Sequence, residues 1–225
     1  MAEKAIRILS TKTLLSNQKQ FLLNADFSVI EADFIATQSV DFELKNIHDA
    51  LLFTSQNAVN AILNHQHLEA LKAKDVFCVG LKTKTLLEEN GFNVVAYTGY
   101  AQDLAEIISL VYSDSSYTFF SGNLRRDTLP DMLKEAGIVF NEIQVYETLL
   151  TPQKINSKPD GILFFSPSAV ESYLKENTLS DETVFCIGNT TAAALEDKKI
   201  KNIIIANQPT IENTIIQTIN YYKHQ

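Results

Sequence analysis

The sequence is poor in the residues and segments that mark several protein classes. It has no Trp, seven Gly and five Pro in 225 residues, which excludes collagen-like and low-complexity chains. No apolar run approaches the roughly 18 residues that a membrane-spanning helix needs, and the N-terminal apolar stretch is too short for the core of a signal peptide. We therefore expect a globular cytoplasmic protein with no membrane partner.

Positive charge is also scarce. Lys and Arg total 19 against 27 Asp and Glu, which gives a formal net charge of −8, and only three of the basic residues are Arg. A basic surface for nucleic acid is therefore not expected. Apolar residues make up 45% of the chain, enough for a buried core, and the length favours two modest domains.

Cysteine and the common catalytic motifs are nearly absent. The two cysteines, Cys78 and Cys186, lie in the matching apolar contexts VFCVG and VFCIG, which predicts buried free thiols rather than a disulfide or a metal pair. The chain lacks GxGxxG, GxxxxGK[ST], GxSxG and HExxH, the usual signatures of nucleotide-binding loops, nucleophile elbows and zinc hydrolases. We expect neither a cofactor nor a metal.

What the sequence does contain is an internal repeat. The segment LLFTSQNAVNAIL from Leu51 resembles ILFFSPSAVESYL from Ile162, 111 residues later. VFCVGLKTKTLL from Val76 matches VFCIGNTTAAAL from Val184, and a weaker match brings Glu31 onto Glu142. Nearly the whole chain is therefore predicted to be duplicated.

Each half alternates short apolar runs with helical patterns, which is typical of βαβ units and a parallel sheet. We expect two similar parallel-sheet α/β lobes with a ligand cleft between them. Segments 34–39 and 143–149 continue strands without a turn signal, and are predicted to pair as a two-stranded β linker. Residues 40–142 would then form an inserted lobe, and residues 1–33 with 150–225 a discontinuous one.

Six turns rich in Ser, Thr, Asn and Gly follow predicted strands, and each is expected to open a helix. They are Ser10-Thr11, Thr54-Ser55, Gly80 to Thr83, Ser121-Gly122-Asn123, Ser166-Pro167-Ser168 and Gly188 to Thr191. Helix capping alone would explain any one of them. Free N–H groups at helix starts also bind anions, and Arg125, just after the fourth turn, is suited to carboxylates. We therefore predict a polyanionic small ligand.

A set of motifs resembles one known family, that of uroporphyrinogen-III synthase. They are FTSQNAV from Phe53, VGLKTKTLL from Val79, SGNLRRDTLPDMLKEAG from Ser121, VYET from Val145, FFSPSAV from Phe164 and IGNTTAAAL from Ile187. The resemblance implies a lyase of haem and tetrapyrrole biosynthesis that needs no cofactor. Such an enzyme cyclises the linear tetrapyrrole hydroxymethylbilane to uroporphyrinogen III, with loss of water and inversion of ring D.

The resemblance also implies a set of site residues. Tyr146, in VYET, matches the tyrosine proposed to assist loss of the hydroxyl group. The substrate-binding candidates are Thr54, Ser55, Thr83, Gly122, Asn123, Ser166, Ser168, Thr190 and Thr191, to which the charge argument adds Arg125. Gly122 is expected to allow close approach of ligand to backbone. Gln56 stands where many relatives have a basic residue.

One other function class fits the same features. Duplicated α/β lobes with a cleft also describe a non-catalytic binding or sensory protein for a polycarboxylate ligand. We expect a monomer in either case.

Overall fold

The computed structural model describes residues 5–223 of the chain. In this part of the chain, strands and helices alternate. The strands are β1 (Arg7–Ser10), β2 (Ser28–Glu31), β3 (Ile35–Ser39), β4 (Ala50–Phe53), β5 (Asp75–Val79), β6 (Asn93–Thr98), β7 (Tyr117–Gly122), β8 (Phe140–Leu150), β9 (Gly161–Phe164), β10 (Thr183–Cys186) and β11 (Ile203–Ile205). The helices are α1 (Ser16–Asn24), α2 (Gln56–Leu63), α3 (Leu68–Lys72), α4 (Leu81–Glu89), α5 (Ala101–Val111), α6 (Thr128–Glu135), α7 (Pro167–Glu176), α8 (Asn189–Glu196) and α9 (Ile211–Lys223).

The chain divides into two compact units, which we call unit 1 and unit 2. Unit 1 comprises Met1–Ala36 and Leu149–Gln225, and unit 2 comprises Thr37–Thr148. The outermost residues of the predicted discontinuous lobe, 1–4 and 224–225, lie outside the described part of the chain.

Unit 1 contains a five-stranded sheet in the order β11-β10-β9-β1-β2, with parallel pairing throughout. Strands β9 and β10 are buried at every position, as expected for short apolar runs in the middle of a parallel sheet with both faces covered. The first residue of β9, Gly161, has no room for a side chain. A Cβ would lie 2.9 Å from the Tyr222 hydroxyl and 3.0 Å from Ile8 Cδ1.

The sheet of unit 2 has the order β3-β8-β7-β4-β5-β6, in which β4 to β8 are parallel. Strands β4 and β7 are wholly buried. Successive strand residues face opposite sides, so Phe120 packs with Phe53 in one core cluster and Phe119 with Leu104 in another. The predicted mixed α/β fold with parallel sheets is confirmed.

Both predicted thiols lie inside these sheets. Cys78, on β5, and Cys186, on β10, are buried and unpaired. Burial raises the pKa of each thiol to about 12. The prediction of buried free cysteines is confirmed.

Two of the six turns do not open a helix directly, so that part of the sequence prediction is wrong. Helix α1 begins at Ser16 rather than after Thr11, and α6 begins at Thr128 rather than after Asn123. The intervening residues instead bond to a neighbouring segment. Asp33 accepts hydrogen bonds from the Thr13 N–H and hydroxyl at 2.7 and 2.8 Å, and the loop after Asn123 is held in the same way, as described below.

Candidate active site

A cavity of about 360 Å³ in unit 2 brings together four of the predicted site residues. Thr54, Ser55, Arg125 and Tyr146 line it together with Tyr100, Leu124 and Arg126. Thr54 and Ser55 immediately follow β4, and the other residues follow β6 or β7 or lie on β8. The carboxyl ends of parallel strands are the usual ligand-binding edge of an open α/β sheet.

Ser55 shapes this edge by capping a helix. Its Oγ accepts a hydrogen bond from the Asn57 N–H at 3.1 Å, and α2 starts at the next residue, Gln56. The apolar face of α2 packs against Phe53 through Ala58 and Val59. Ser55 therefore has a capping role in addition to its place in the cavity wall.

Tyr146 reaches the cavity because of a register shift between β7 and β8. Ser121 is opposite Gln144, but Gly122 is opposite Tyr146, so β8 contains one extra residue at this point. Bulges of this kind re-aim side chains. Val145 is buried in the core, and the ring of Tyr146 packs against the edge of the same cluster. Within residues 5–223, no group bonds to the Tyr146 hydroxyl.

Gly122 makes room for the Tyr146 ring. A Cβ at Gly122 would lie 2.3 Å from Cζ of Tyr146 and 2.5 Å from Cε2, far inside van der Waals contact. The space that a side chain would occupy at Gly122 is filled by the Tyr146 ring, and the expected role of Gly122 in ligand approach stays a prediction.

Gly122 and Asn123 line a second, more polar cavity of about 500 Å³ with Arg125 and Glu142. The amide of Asn123 bonds to the backbone of β8. Its Nδ2 donates to the Thr148 carbonyl at 3.2 Å, and the Thr148 N–H donates to its Oδ1 at 2.8 Å. The side chain of Asn123, which the sequence predicts to bind substrate, is thus hydrogen-bonded to the protein itself.

Arg125 is likewise engaged by the protein. Its guanidinium donates to Glu142 through Nε at 2.6 Å and Nη2 at 2.8 Å, and Nη1 bonds to Asp127. Ser121 also donates to Glu142, at 2.6 Å. Burial raises the pKa of Glu142, but the hydrogen bonds from Arg125 and Ser121 outweigh it, and the net pKa is lowered. The carboxylate stays ionised and holds the loop after β7.

The neighbouring Arg126 has no such partner. It is exposed, it lines the 360 Å³ cavity, and no acidic side chain in the described chain forms an ion pair with it. Arg125 is the arginine that the sequence predicts to bind substrate, but in the structure it is bound by Glu142. The repeat that aligns Glu142 with Glu31 is the only sequence signal that pointed to this acidic residue.

Thr83 lies away from the wall of this cavity. It is in the first turn of α4 and is buried, with 5% of its surface exposed. Gly80 precedes α4 with φ of 90°, a left-handed conformation that favours glycine. The N–H groups of Thr83 and Lys84 both donate to the Gly80 carbonyl at 3.1 Å, so these two donors are used within the turn itself.

The remaining candidates belong to unit 1, where two turns follow neighbouring strands. Ser166 caps α7 by accepting from the Ala169 N–H at 3.1 Å, and its Oγ lies 3.0 Å from Oγ of Ser168. At the start of α8, Thr190 is exposed and Thr191 is buried. Strands β9 and β10 are adjacent and parallel, so both turns lie at the same edge of the sheet.

The part of the chain described here contains no group of three or more His, Cys, Asp or Glu side chains placed to hold a metal ion. Across the same residues, none of the helices combines the length and apolar character needed to cross a membrane.

Comparison with known proteins gives a consistent result. The family model described as uroporphyrinogen-III synthase HemD matches residues 19–216. The uroporphyrinogen-III synthase of Chlorobaculum parvum is 29% identical over 177 residues, which cover 69% of this chain and 72% of that protein. The Saccharomyces cerevisiae enzyme of the same name is 24% identical over 216 residues, covering 80% of this chain and 78% of the relative.

Solved structures agree at the level of the fold. The crystal structure of uroporphyrinogen-III synthetase from Helicobacter pylori 26695 matches with a TM-score of 0.76 at 23% identity, and the match covers 96% of this chain and 99% of that one. The family model spans most of the sequence, from the first helix to the last. The chain therefore belongs to the uroporphyrinogen-III synthase family.

Proposed function

We propose that this protein cyclises hydroxymethylbilane to uroporphyrinogen III, with inversion of ring D and loss of water, in tetrapyrrole biosynthesis. The observation that carries the proposal is the placement of Tyr146. Its hydroxyl has no bonding partner among residues 5–223, and its side chain lines a cavity whose wall includes Thr54, Ser55 and Arg126.

Tyr146 is the residue proposed to act on the reacting atoms. Its phenol donates a hydrogen bond to the terminal hydroxyl of the substrate. The hydroxyl takes up a proton through this hydrogen bond and leaves as water, so that an azafulvene cation remains. The substituted carbon of ring D attacks this cation, fragmentation with recombination of the resulting spiro intermediate inverts the ring, and loss of one proton restores the aromatic pyrrole, so the proton is regenerated. Because the substrate cyclises on its own to the type I isomer, orientation matters more than strong acid catalysis.

The binding groups proposed here are the polar turns at the carboxyl ends of the strands. In unit 2 they are Thr54, Ser55 and the helix start that contains Thr83. In unit 1 they are Ser166, Ser168, Thr190 and Thr191. Backbone N–H groups at the helix starts and the adjacent hydroxyls suit the carboxylates of a polycarboxylate substrate. Among the cations, we propose that Arg126 rather than Arg125 meets a carboxylate.

We also propose that the two units arose by duplication and that β3 and β8 link them. Supporting this, Glu31 and Glu142 are equivalent in the repeat and have matching roles. Glu31, on β2, accepts from the Leu14 N–H at 2.8 Å and from Lys19, and so ties down the loop after β1. Glu142, on β8, does the same for the loop after β7 through Arg125. In the linker, Gln38 donates to Glu147 at 2.5 Å.

The test is an isomer analysis. The protein is incubated with hydroxymethylbilane made enzymatically in the same tube, the products are oxidised, and the type I and type III porphyrins are separated. Type III product is expected, and dialysis against EDTA beforehand is expected to leave its yield unchanged. Formation of type I alone, at the rate seen without protein, would contradict the proposal and favour a non-catalytic binding protein.

The cytoplasmic location and the monomeric state remain predictions. Size-exclusion chromatography with light scattering tests the second. A mass near the 25.2 kDa of a single chain is expected, and a dimer mass would overturn it.

A further inference from the structure

Gly122, the last residue of β7, and Asn123, which follows it, contact β8 at two nearby residues, Tyr146 and Thr148. At Gly122, the missing side chain lets the Tyr146 ring lie against the backbone. At the next residue, the Asn123 side chain both accepts from the Thr148 N–H and donates to the Thr148 carbonyl. Thr148 is two residues beyond Tyr146, so the same loop residues contact the ring and fix the strand that carries it.

The two hydrogen bonds of the Asn123 side chain take the place of strand pairing where β7 has ended. Strand β7 ends at Gly122, whereas β8 continues to Leu150. Beyond Gly122 the backbone of β7 no longer runs beside β8, and the Asn123 amide offers one donor and one acceptor, just as a peptide group of a neighbouring strand would. This segment of β8 is thereby held in place.

The Tyr146 ring depends on this support because its own hydroxyl does not anchor it. No atom within residues 5–223 bonds to that hydroxyl. The direction of the phenol is therefore set by the β8 backbone and by packing on Gly122 and the nearby core. We expect a shift of β8 at Thr148 to move the phenol, which is two residues away on the same strand.

We propose that Asn123 is a positioning residue, which holds β8 through Thr148 so that the Tyr146 hydroxyl keeps its direction, and is not a substrate-binding residue. This inference rests on the proposed function, because it takes Tyr146 as the group that acts on the leaving hydroxyl. The binding role that the sequence suggests for Asn123 is the competing outcome.

Four forms of the protein test the proposal: wild type, Asn123→Ala, Tyr146→Phe and the double variant. Asn123→Ala is expected to lower kcat by no more than Tyr146→Phe does, within roughly 2- to 13-fold, since it misplaces the same hydroxyl, and to change KM less than about 2-fold. In the Tyr146→Phe background, the same substitution is expected to have almost no further effect on kcat, because no hydroxyl remains to be positioned.

Asn123→Asp is the conservative control. It keeps the acceptor for the Thr148 N–H but sets a carboxylate oxygen against the Thr148 carbonyl in place of the donor, so its kcat is also expected to fall, and to fall only when the Tyr146 hydroxyl is present. If Asn123→Ala fails to fold, as judged by circular dichroism, Asp replaces Ala in the same cycle and decides the question.

Two results would overturn the positioning role. One is a large rise in KM with kcat unchanged, which would assign Asn123 to substrate binding. The other is an equal loss of kcat in the presence and absence of the Tyr146 hydroxyl, which would mean that Asn123 acts independently of it. Failure of the proposed function is a separate result, since wild-type protein would then yield no type III isomer at all.

Discussion

Arg125 and Glu142 form a bidentate ion pair, with Nε and Nη2 of the guanidinium 2.6 and 2.8 Å from the two carboxylate oxygens. The pair ties the loop after β7 to β8. Both Arg125 and Arg126 line the cavity beside Tyr146, but only Arg126 has no acidic partner in the described chain, and we therefore propose that the two arginines have different roles.

This difference between the two arginines predicts that replacing each by Gln affects a different property of the protein. Arg125→Gln is expected to lower the free energy of unfolding by about 1 kcal/mol, since the pair is partly exposed to solvent. Arg126→Gln is expected to leave that free energy unchanged and to raise KM. Urea unfolding and steady-state kinetics on both variants provide the measurement. A larger rise in KM for Arg125→Gln than for Arg126→Gln would reverse the assignment.

Loss of the Tyr146 hydroxyl alone is expected to slow the reaction without abolishing it. One hydrogen bond contributes about 0.5–1.5 kcal/mol, which corresponds to roughly a 2- to 13-fold lower kcat for Tyr146→Phe. The ring remains, so packing on Gly122 is preserved. Initial rates of type III formation measure the effect. A loss of about 10⁴-fold would instead indicate that the reaction depends on one dedicated acid.

Gly122→Ala is expected to lower both stability and activity, although it adds only one methyl group. The added methyl group would overlap the Tyr146 ring, and overpacking of this kind costs about 1–3 kcal/mol. The activity is expected to fall below that of Tyr146→Phe, because the ring is displaced. In a Tyr146→Ala background, the same change is expected to cost under about 0.5 kcal/mol. Thermal unfolding of the four proteins tests this, and equal costs in both backgrounds would contradict the contact.

Acidification is expected to release the loop after β7. Burial raises the pKa of Glu142, but Arg125 and Ser121 lower it further than burial raises it. A carboxylate whose pKa is lowered by folding stabilises the protein above its unfolded pKa of about 4.3, and this stabilisation is lost as the pH falls through the lower folded value.

The variant Glu142→Gln reveals this contribution. It is expected to be less stable than wild type by about 1 kcal/mol near neutral pH, and the difference is expected to shrink below about pH 4. Urea midpoints across the pH range measure it. Glu89→Gln, at an exposed position of α4, is the control and is expected to show no such trend. A constant difference for Glu142→Gln would disprove the linkage.

Both thiols are expected to be unreactive in the native protein. Burial raises the pKa of Cys78 and of Cys186 to about 12, so neither is a thiolate at neutral pH. A coloured disulfide reagent is expected to report no thiol before denaturation and two afterwards. Rapid reaction of either cysteine in the native state would show that its strand opens readily.

The sequence predicts this fold well where the signal is local. Strands such as β4 and β9 are short apolar runs, and the serines that cap α2 and α7 stand directly before their helices. The order of strands and helices follows from such signals alone. The sequence alone therefore predicts the mixed α/β class with parallel sheets.

The site was less predictable, because its geometry depends on how distant segments pair. Nothing near Gly122 in the sequence indicates that a bulge brings Tyr146 opposite to it. Similarly, the pairing of Glu142 with Arg125 rather than with Arg126 depends on how β8 lies beside β7. The resemblance implies that Asn123 binds substrate, whereas its bond to Thr148, 25 residues away, cannot be read from a motif.

The position of β1 between β9 and β2 affects how the protein is made. The Thr11 hydroxyl donates to the carbonyl of Leu163, 152 residues later, so β1 has no partner on that side until β9 has been translated. At about 5–20 residues per second, the delay is roughly 8–30 s. The strands β4 to β8 are contiguous in sequence and are complete on the ribosome before β9 emerges. A nascent chain therefore carries a β1 edge that is unpaired on the β9 side throughout the synthesis of unit 2, and unpaired apolar strand edges are prone to aggregation.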